Sequence, residues 1–355
     1  MTNRGRSGLP DGRVPSGSVQ GIVERVGHQA PQWFPDLAPK VTLVCHFVRG
    51  DTVGIRVHVG EAPRVRSVLA RIPAGSGEVD RPRIVPRMDP GAALASEYRA
   101  LQALAGVVDT LRDRRFGAIR PLELYEPGPA LIIEERLDPR LTRRIWGAHR
   151  LVRLFGISRL RSLLANAGEL LRSLHQVSDP ASVERSSTVH DYVATVDASC
   201  RYLAADRGDR AFFRLSDQLA AWASEVFPAE LPTGLSHGSF SADSVLVGSS
   251  GEVVLSGART IWRAPIYEDL VGLLVGIRTM RLQSATRGLA LSVRTRKSLE
   301  RAFLEGYGGD LDPLMLRLFS VQALLDAWVS TLAAGRTGRS TQRWYRRQYR
   351  SLVGS

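Results

Sequence analysis

The hydrophobic pattern of this chain changes its period near residue 137, and that change restricts the fold more than any other feature. Before residue 137, apolar residues recur at every second position, which is typical of strands with one buried face. The predicted strands are 41–47, 53–59, 65–72, 119–125 and 130–137. A helix that begins near Gly91 and reaches Leu104 is predicted between the third and fourth strands. The pattern therefore predicts a five-stranded, mostly antiparallel unit.

A spacing of three to four residues between apolar positions, typical of amphipathic helices, dominates the rest of the chain. The predicted helices are 158–177, 192–205, 209–226, 267–279, 295–307 and 313–334. Two short strands, 245–247 and 253–255, interrupt them. A run of strands followed by a run of helices predicts the α+β fold class.

The chain has 355 residues, which is long enough for two lobes. We predict a β-rich N-terminal lobe at 35–137 and a helical C-terminal lobe at 138–355. Residues 1–18 are rich in Gly, Pro, Ser and Arg and have no apolar period, and a flexible N-terminal tail is predicted over 1–34. The first 40 residues contain no long apolar segment, so a cytoplasmic protein is expected.

One segment of the predicted helical lobe has chemically informative spacing. Residues 237–244 read His-Gly-Ser-Phe-Ser-Ala-Asp-Ser, Ser256 and Gly257 follow the two short strands, and Asp269 closes a Pro-x-x-x-Asp-Leu segment. This order resembles the aminoglycoside phosphotransferase family, whose catalytic loop reads His-Gly-Asp-x-x-x-x-Asn and is followed by a hairpin and a metal-binding Asp. The resemblance implies a bilobal protein-kinase-like fold and an ATP-dependent kinase of small molecules.

Residues upstream of this segment extend the resemblance. Glu97 stands where the family carries the ion-pair glutamate of a helix, and Glu134 lies in a segment similar to the strand that enters the hinge. Arg71 stands where the resemblance would put the phosphate-gripping lysine, so these three residues are candidates for nucleotide binding. Because a guanidinium binds as a planar fork rather than as a compact ammonium, phosphate geometry would differ. A structural ion pair between Arg71 and Glu97 is the favoured interpretation.

Serine occupies the three positions that carry the chemistry in the family. Ser239 stands at the position of the catalytic Asp, and Ser244 and Ser256 stand at the two positions that hold Mg²⁺. A serine hydroxyl is too weakly acidic to act as a base near neutral pH, and two neutral hydroxyls supply no charge against a dication. The sequence therefore predicts a pseudokinase that binds a nucleotide, an anionic ligand or a protein partner. ATP is the implied cofactor, and binding of Mg²⁺ is expected to be weak.

Other interpretations of the same loop remain open. A divergent active kinase would need Asp243, Glu268 or Asp269 to hold the metal, although Asp269 is better explained as a carboxylate that caps the following helix. An ordinary surface loop without kinase ancestry is also open. His237 beside Ser239 suggests a Ser–His hydrolase pair, but no nucleophile elbow surrounds it, and a structural role for His237 is favoured.

Arginine carries almost all of the positive charge, since Lys40 and Lys297 are the only lysines in a chain of net charge +13. Residues 343–350 interleave Arg with Trp and Tyr, a composition that suits binding to nucleic acid or to an anionic membrane surface. A second arginine group consists of Arg140, Arg143, Arg144, Arg150 and Arg153. Solvated helix faces are the favoured explanation of both groups, and a basic nucleic-acid or membrane-surface binder remains a third hypothesis.

Overall fold

The computed structural model describes residues 16–49, 52–73, 89–125, 129–145, 156–178, 184–185, 187–258, 262–280, 291–333, 335 and 338–353. The helices are α1 (Ser16–Trp33), α2 (Pro90–Leu111), α3 (Gly156–His175), α4 (Val189–Arg207), α5 (Ala211–Val226), α6 (Ile266–Thr279), α7 (Val293–Tyr307), α8 (Pro313–Ala333) and α9 (Arg339–Val353). The strands are β1 (Val41–Arg49), β2 (Thr52–Glu61), β3 (Arg64–Pro73), β4 (Phe116–Gly117), β5 (Pro121–Tyr125), β6 (Ala130–Glu134), β7 (Thr233–Leu235), β8 (Val245–Val247), β9 (Val253–Leu255) and β10 (Arg263–Pro265).

The elements fall into two compact units. One contains the described residues up to Tyr98 together with Ile119–Leu137, and the other contains Arg99–Ala118 and the described residues from Asp138 onward. Helix α1 thus belongs to the first unit, and the second half of α2 belongs to the second. The lobe ranges 35–137 and 138–355 stay a prediction.

The first unit is built on a five-stranded antiparallel sheet with the order β1-β2-β3-β6-β5. The alternating apolar residues of the sequence supply its core, because successive side chains of a strand point to opposite faces. Fully buried members of this core are Ile55, Val57, Val59, Val68, Ala70 and Ile132. The predicted antiparallel sheet is confirmed, although its last strand ends at Glu134.

Helix α1 corrects the prediction of a flexible tail over residues 1–34. Its apolar residues Ile22, Val26 and Ala30 are four positions apart, so they share one face, and all three are buried in the core of the first unit. Arg25 on the same helix bonds to Glu123 of β5 at 2.5 Å. The tail prediction was wrong for residues 16–33, because the high content of Gly and Pro masked a helical apolar period. Residues 1–15 lie outside the described residues.

The second unit is mainly helical, and its core surrounds two small sheets. The sheets are β4-β9-β8 and β10-β7. Large side chains at the centre of this core are almost completely buried: Tyr192, Phe303, Phe319 and Trp328. The predicted helices and the hairpin at residues 245–255 are confirmed. Three short strands, β4, β7 and β10, were missed, since two or three residues are too few to show an alternation.

Helices α3 and α7 approach each other through two glycines. A Cβ atom added to Gly168 would lie 2.6 Å from the backbone nitrogen of Tyr307, and one added to Gly306 would overlap the backbone of Ala165. Only glycine leaves room for two backbones at this distance. The close approach places the C-terminal end of α7 beside the middle of α3, and the Tyr307 side chain extends from there to His175 at the end of α3.

Candidate functional site

The segment at residues 237–244 connects β7 to β8 within the second unit, and we call it the catalytic-position loop. Strand β7 pairs with β10 in an antiparallel register from Thr233–Pro265 to Leu235–Arg263. Helix α6 begins directly after β10. This short connection brings the fourth residue of α6, Asp269, to the first residues of the loop.

The Asp269 carboxylate anchors the start of the catalytic-position loop. Its Oδ2 accepts hydrogen bonds from the Ser236 hydroxyl at 3.0 Å and from the His237 backbone N–H at 2.6 Å, and its Oδ1 accepts one from the Gly238 N–H at 3.0 Å. Burial alone raises the pKa of Asp269, but the hydrogen bonds that the carboxylate accepts from the His175 side chain and from the His237 backbone N–H favour its ionised form, and the pKa is lowered. Asp269 therefore stays ionised at neutral pH.

The prediction that Asp269 caps its helix is wrong, although the carboxylate does have a structural role. Helix α6 has Pro265 at its N-cap and no side-chain hydrogen bond there. The carboxylate bonds to the loop instead, because β10 directs the first turn of α6 toward residues 236–238. Its fourth partner is His175 Nε2 at 3.2 Å, and His175 Nδ1 lies 2.9 Å from the Tyr307 hydroxyl. His175 is therefore a hydrogen-bonded residue of the buried core.

His237 is completely buried, and its ring packs edge-on against Phe240 with 5.4 Å between the ring centroids. Neither ring nitrogen makes a hydrogen bond of ordinary geometry to a described residue. Burial lowers the pKa of His237 to about 4, although the charge of Asp269 and the nearby backbone of Ser256 counter part of that shift. The ring is therefore neutral at pH 7. The Ser239 hydroxyl donates to the Gly257 carbonyl and not to this ring, so the described residues form no Ser–His pair, which agrees with a structural role for His237.

The three serines that the resemblance places at the family's chemical positions all donate to backbone carbonyls of the same region. The Ser239 hydroxyl donates to the Gly257 carbonyl at 2.7 Å, the Ser244 hydroxyl to the Ser241 carbonyl at 2.7 Å, and the Ser256 hydroxyl to the Ser244 carbonyl at 3.0 Å. Ser244 Oγ also accepts from the Ser241 N–H at 2.8 Å. The bonds of Ser239 and Ser256 tie the catalytic-position loop to residues 256–257. The three hydroxyls therefore stabilise the conformation of the loop through hydrogen bonds within residues 239–257.

Asp243 supplies the one carboxylate of the catalytic-position loop. Its side chain is 62% exposed, and its Oδ1 accepts from the Thr142 hydroxyl at 2.7 Å and lies 3.9 Å from the Arg140 guanidinium. Arg143 is exposed on the same short helical stretch at residues 141–145. The surroundings of this carboxylate are thus cationic.

The residues present do not fit a magnesium site of the family's type. In the described part of the chain, no group of three or more His, Cys, Asp or Glu side chains is arranged to hold a metal ion. Asp269 already accepts four hydrogen bonds, and Glu268 forms an ion pair with Arg185. Ser244 and Ser256 are neutral, whereas Mg²⁺ needs hard and preferably anionic oxygens.

In the first unit, Arg71 of β3 forms an ion pair with Glu97 of α2. Only 10% of the Glu97 side chain is exposed, so the pair compensates a charge that burial alone would disfavour. Glu134, at the end of β6, accepts a hydrogen bond from Arg66 at 3.2 Å. A role of these three candidates toward a nucleotide stays a prediction.

Sequence reasoning missed several residues that bond to the candidate residues or lie beside them. Glu135 accepts two 2.6 Å bonds from Arg56 and a 2.7 Å bond from Ser67, and the pattern had singled out only its neighbour Glu134. Thr142 was missed because its partner Asp243 is 101 residues away. No local signal marks such partners. Of the second arginine group, Arg150 and Arg153 lie outside the described residues.

A β-rich unit, a helical unit and a catalytic-position loop before a short hairpin define a phosphotransferase of the protein-kinase-like class. The model of the phosphotransferase enzyme family matches residues 76–257, slightly more than half of the chain. The chain belongs to this family. The resemblance and the fold class expected from the sequence are therefore confirmed.

Solved structures with the same fold cover nearly the whole chain at low identity. A glucosamine kinase is 15% identical with a TM-score of 0.57, and the alignment covers 96% of this chain and 81% of that one. Choline kinase LicA from Streptococcus pneumoniae is 7% identical with a TM-score of 0.54 and coverage of 96% and 100%. A spectinomycin phosphotransferase, solved with ADP and spectinomycin, is 12% identical with a TM-score of 0.51 and coverage of 93% and 94%. At these identities the likeness shows the fold alone.

Two further observations do not make the assignment more specific than the family. No curated protein matches the sequence at a significant level. None of the helices in the described part of the chain combines the length and the apolar character needed to cross a bilayer. The expected cytoplasmic location stays a prediction.

Proposed function

We propose that this chain is a member of the phosphotransferase family that does not transfer phosphate efficiently and acts by binding an anionic ligand without Mg²⁺. The observation that carries the proposal is the use of the three serine hydroxyls. Each one stands at a position where the family needs a carboxylate or an amide, and each one donates its proton to a backbone carbonyl.

Phosphoryl transfer depends on positioning and on neutralising charge, through a base for the acceptor and metal ions that bridge the phosphates. Ser239 is not a base at neutral pH, and its proton is directed to the Gly257 carbonyl. Without the carboxylate and amide ligands, no anionic oxygen at residues 244 and 256 attracts a dication. The loss of base and ligands together removes both main sources of rate acceleration.

The charge beside the loop supports an anionic ligand. Arg140 stands next to the catalytic-position loop within the second unit and approaches Asp243 at 3.9 Å, and the exposed Arg143 follows three residues later in the chain. Guanidinium groups bind phosphate oxygens as a fork and need no metal to do so. A nucleotide is the first ligand to test, because the spectinomycin phosphotransferase and an aminoglycoside phosphotransferase of the same fold were solved with ADP, the second together with hygromycin B. The alternative within this proposal is that the chain binds a protein partner.

A divergent active kinase is the second candidate, and Asp243 is the observation in its favour. This carboxylate is exposed, and only one of its oxygens accepts a hydrogen bond from a described side chain, that of Thr142. In an active enzyme it would have to replace the missing base or metal ligand. The acceptor would then be a small molecule such as an aminoglycoside, a sugar or an alcohol.

Release of ADP from ATP in the presence of Mg²⁺ separates the two candidates. The proposal predicts that wild type and the Asp243→Ala variant release ADP at the same background rate, with water or with a panel of amino and hydroxyl acceptors. Magnesium-dependent release that Asp243→Ala abolishes would instead support the active kinase. A Glu252→Ala variant is the matched control, since Glu252 lies at the tip of the β8–β9 hairpin.

A further inference from the structure

The exposed face of α9 is a continuous row of arginines. Arg343, Arg346, Arg347 and Arg350 follow the spacing i, i+3, i+4 and i+7, and all four are exposed. This spacing puts them on one side of the helix, over a length of about 10 Å. The helix contains no acidic residue. The row is therefore a rigid cationic strip.

A second cationic row lies on α7. Arg294, Lys297 and Arg301 follow the spacing i, i+3 and i+7 and are exposed, and the row ends one turn later at Glu305. Arg296 of α7 donates to the Gln348 side chain of α9 at 3.1 Å, so the two helices are neighbours within the second unit. We call these seven cations the α7–α9 surface.

Most charges of the α7–α9 surface have no acidic partner in the part of the chain that the structure describes. Within the described residues, Arg346 alone of the seven forms an ion pair, with Asp209 at 3.2 Å. The first turns of α7 and α9 contain no acidic residue, although the dipole of a helix favours anions at its N-terminus. Uncompensated cations at such positions disfavour the isolated fold slightly. Their presence suggests an external anion as the partner.

The aromatic residues of α9 do not belong to this surface. Trp344 is buried and its Nε1–H donates to the Arg278 carbonyl at 3.0 Å. Tyr345 is buried and stacks on Trp328 with 5.6 Å between the ring centroids. Base stacking and insertion into a lipid interface both need exposed aromatic or apolar side chains, so neither mode is open to Trp344 or Tyr345. Tyr349 is half-buried and packs against the same core. The interleaved sequence at residues 343–350 thus separates into an aromatic face that packs on the core and an exposed arginine face.

We infer that the α7–α9 surface binds the phosphate backbone of double-stranded nucleic acid without reading its sequence. The observed contacts leave electrostatics as the binding force. A duplex carries one negative charge per about 1.7 Å of its axis, which is a denser anionic surface than a mixed lipid bilayer presents. Arginine forks suit phosphate oxygens, and six of the seven cations are arginines.

Binding of a labelled 25-base-pair duplex of arbitrary sequence, measured by fluorescence anisotropy over a salt series, tests this inference. The test variant carries Gln at positions 343, 346, 347 and 350. The control variant carries Gln at four exposed arginines outside the surface: Arg64, Arg114, Arg159 and Arg161. Both variants change the net charge equally, and circular dichroism checks that both fold as wild type does.

The inference predicts that the test variant binds the duplex roughly tenfold or more weakly than wild type and that its logarithmic salt slope falls by about 0.9 for each lost phosphate contact. The control variant is expected to keep wild-type affinity within about threefold. Equal losses in both variants, absence of duplex binding by wild type, or tighter binding to single strands or to anionic phosphatidylserine vesicles would each overturn it. Asp243→Ala should leave duplex binding unchanged, so the outcome is independent of the ADP-release experiment.

Discussion

At the scale of single residues, four hydrogen bonds converge on the Asp269 carboxylate and fix the start of the catalytic-position loop. The positions of the three serines could be read from the sequence by their spacing. Their partners could not, because the Ser239 hydroxyl bonds to Gly257, 18 residues away across a hairpin. The same limit explains why Asp269 was expected to cap its own helix.

Ser244 and Ser239 should differ in their contribution to stability. Ser244 is buried, and its hydroxyl both accepts from the Ser241 N–H and donates to the Ser241 carbonyl. Ser244→Ala is expected to lower the free energy of unfolding by about 1–2 kcal/mol, because it leaves the half-buried Ser241 N–H without its acceptor. Ser239→Ala, at an exposed position, should cost no more than about 0.5 kcal/mol. Urea denaturation measures both, and equal costs would contradict the loop geometry.

The buried ring of His237 predicts a pH dependence of stability. Burial lowers its pKa from 6.5 to about 4, so between these values the unfolded chain binds a proton that the folded protein does not. The neutral His237 ring therefore contributes about 3 kcal/mol to the free energy of unfolding. This contribution is fully present above pH 6.5 and is lost as the pH falls toward 4. Urea denaturation at a series of pH values should show this loss in wild type and not in His237→Phe. The exposed His46→Gln is the control, and a pH profile shared by wild type and His237→Phe would contradict the assignment.

At the scale of elements, the regular strands and the long helices were predictable, because their apolar periods extend over many residues. Helix α1 was not, although Ile22, Val26 and Ala30 repeat every four residues, since turn-forming residues surround them. Contacts between elements were equally hidden. Nothing in the sequence of α3 or α7 alone shows that Gly168 and Gly306 meet in a helix crossing.

The glycines of the α3–α7 contact should respond to alanine in a way that helix propensity alone would not predict. Alanine is the better helix former by about 1 kcal/mol. Gly168→Ala and Gly306→Ala are nevertheless expected to lower the free energy of unfolding by roughly 3 kcal/mol, because the added methyl group meets backbone atoms. Gly106 of α2 has no atom within 4 Å of an added Cβ, so Gly106→Ala should be neutral or stabilising. Thermal denaturation of the three variants checks the contrast, and a stabilised Gly168→Ala would refute the close approach.

At the scale of the whole molecule, the family was predictable from the order of five weak motifs over about 240 residues. The location of the excess positive charge was not, since the helices that carry the two cationic rows become neighbours only in the folded chain. The fold supports phosphotransferase chemistry in relatives, whereas this chain's own side chains decide whether that chemistry is retained. The loss of metal ligands is the central claim about this molecule.

A thermal-shift titration with ATP, in Mg²⁺ and in EDTA, tests that claim most directly, because a ligand that binds only the folded state raises the melting temperature. A metal-free anion site predicts that ATP raises the melting temperature in EDTA by at least as much as in Mg²⁺, and that Arg140→Gln reduces the rise in both. A rise that requires Mg²⁺ and disappears in Asp243→Ala would contradict the account.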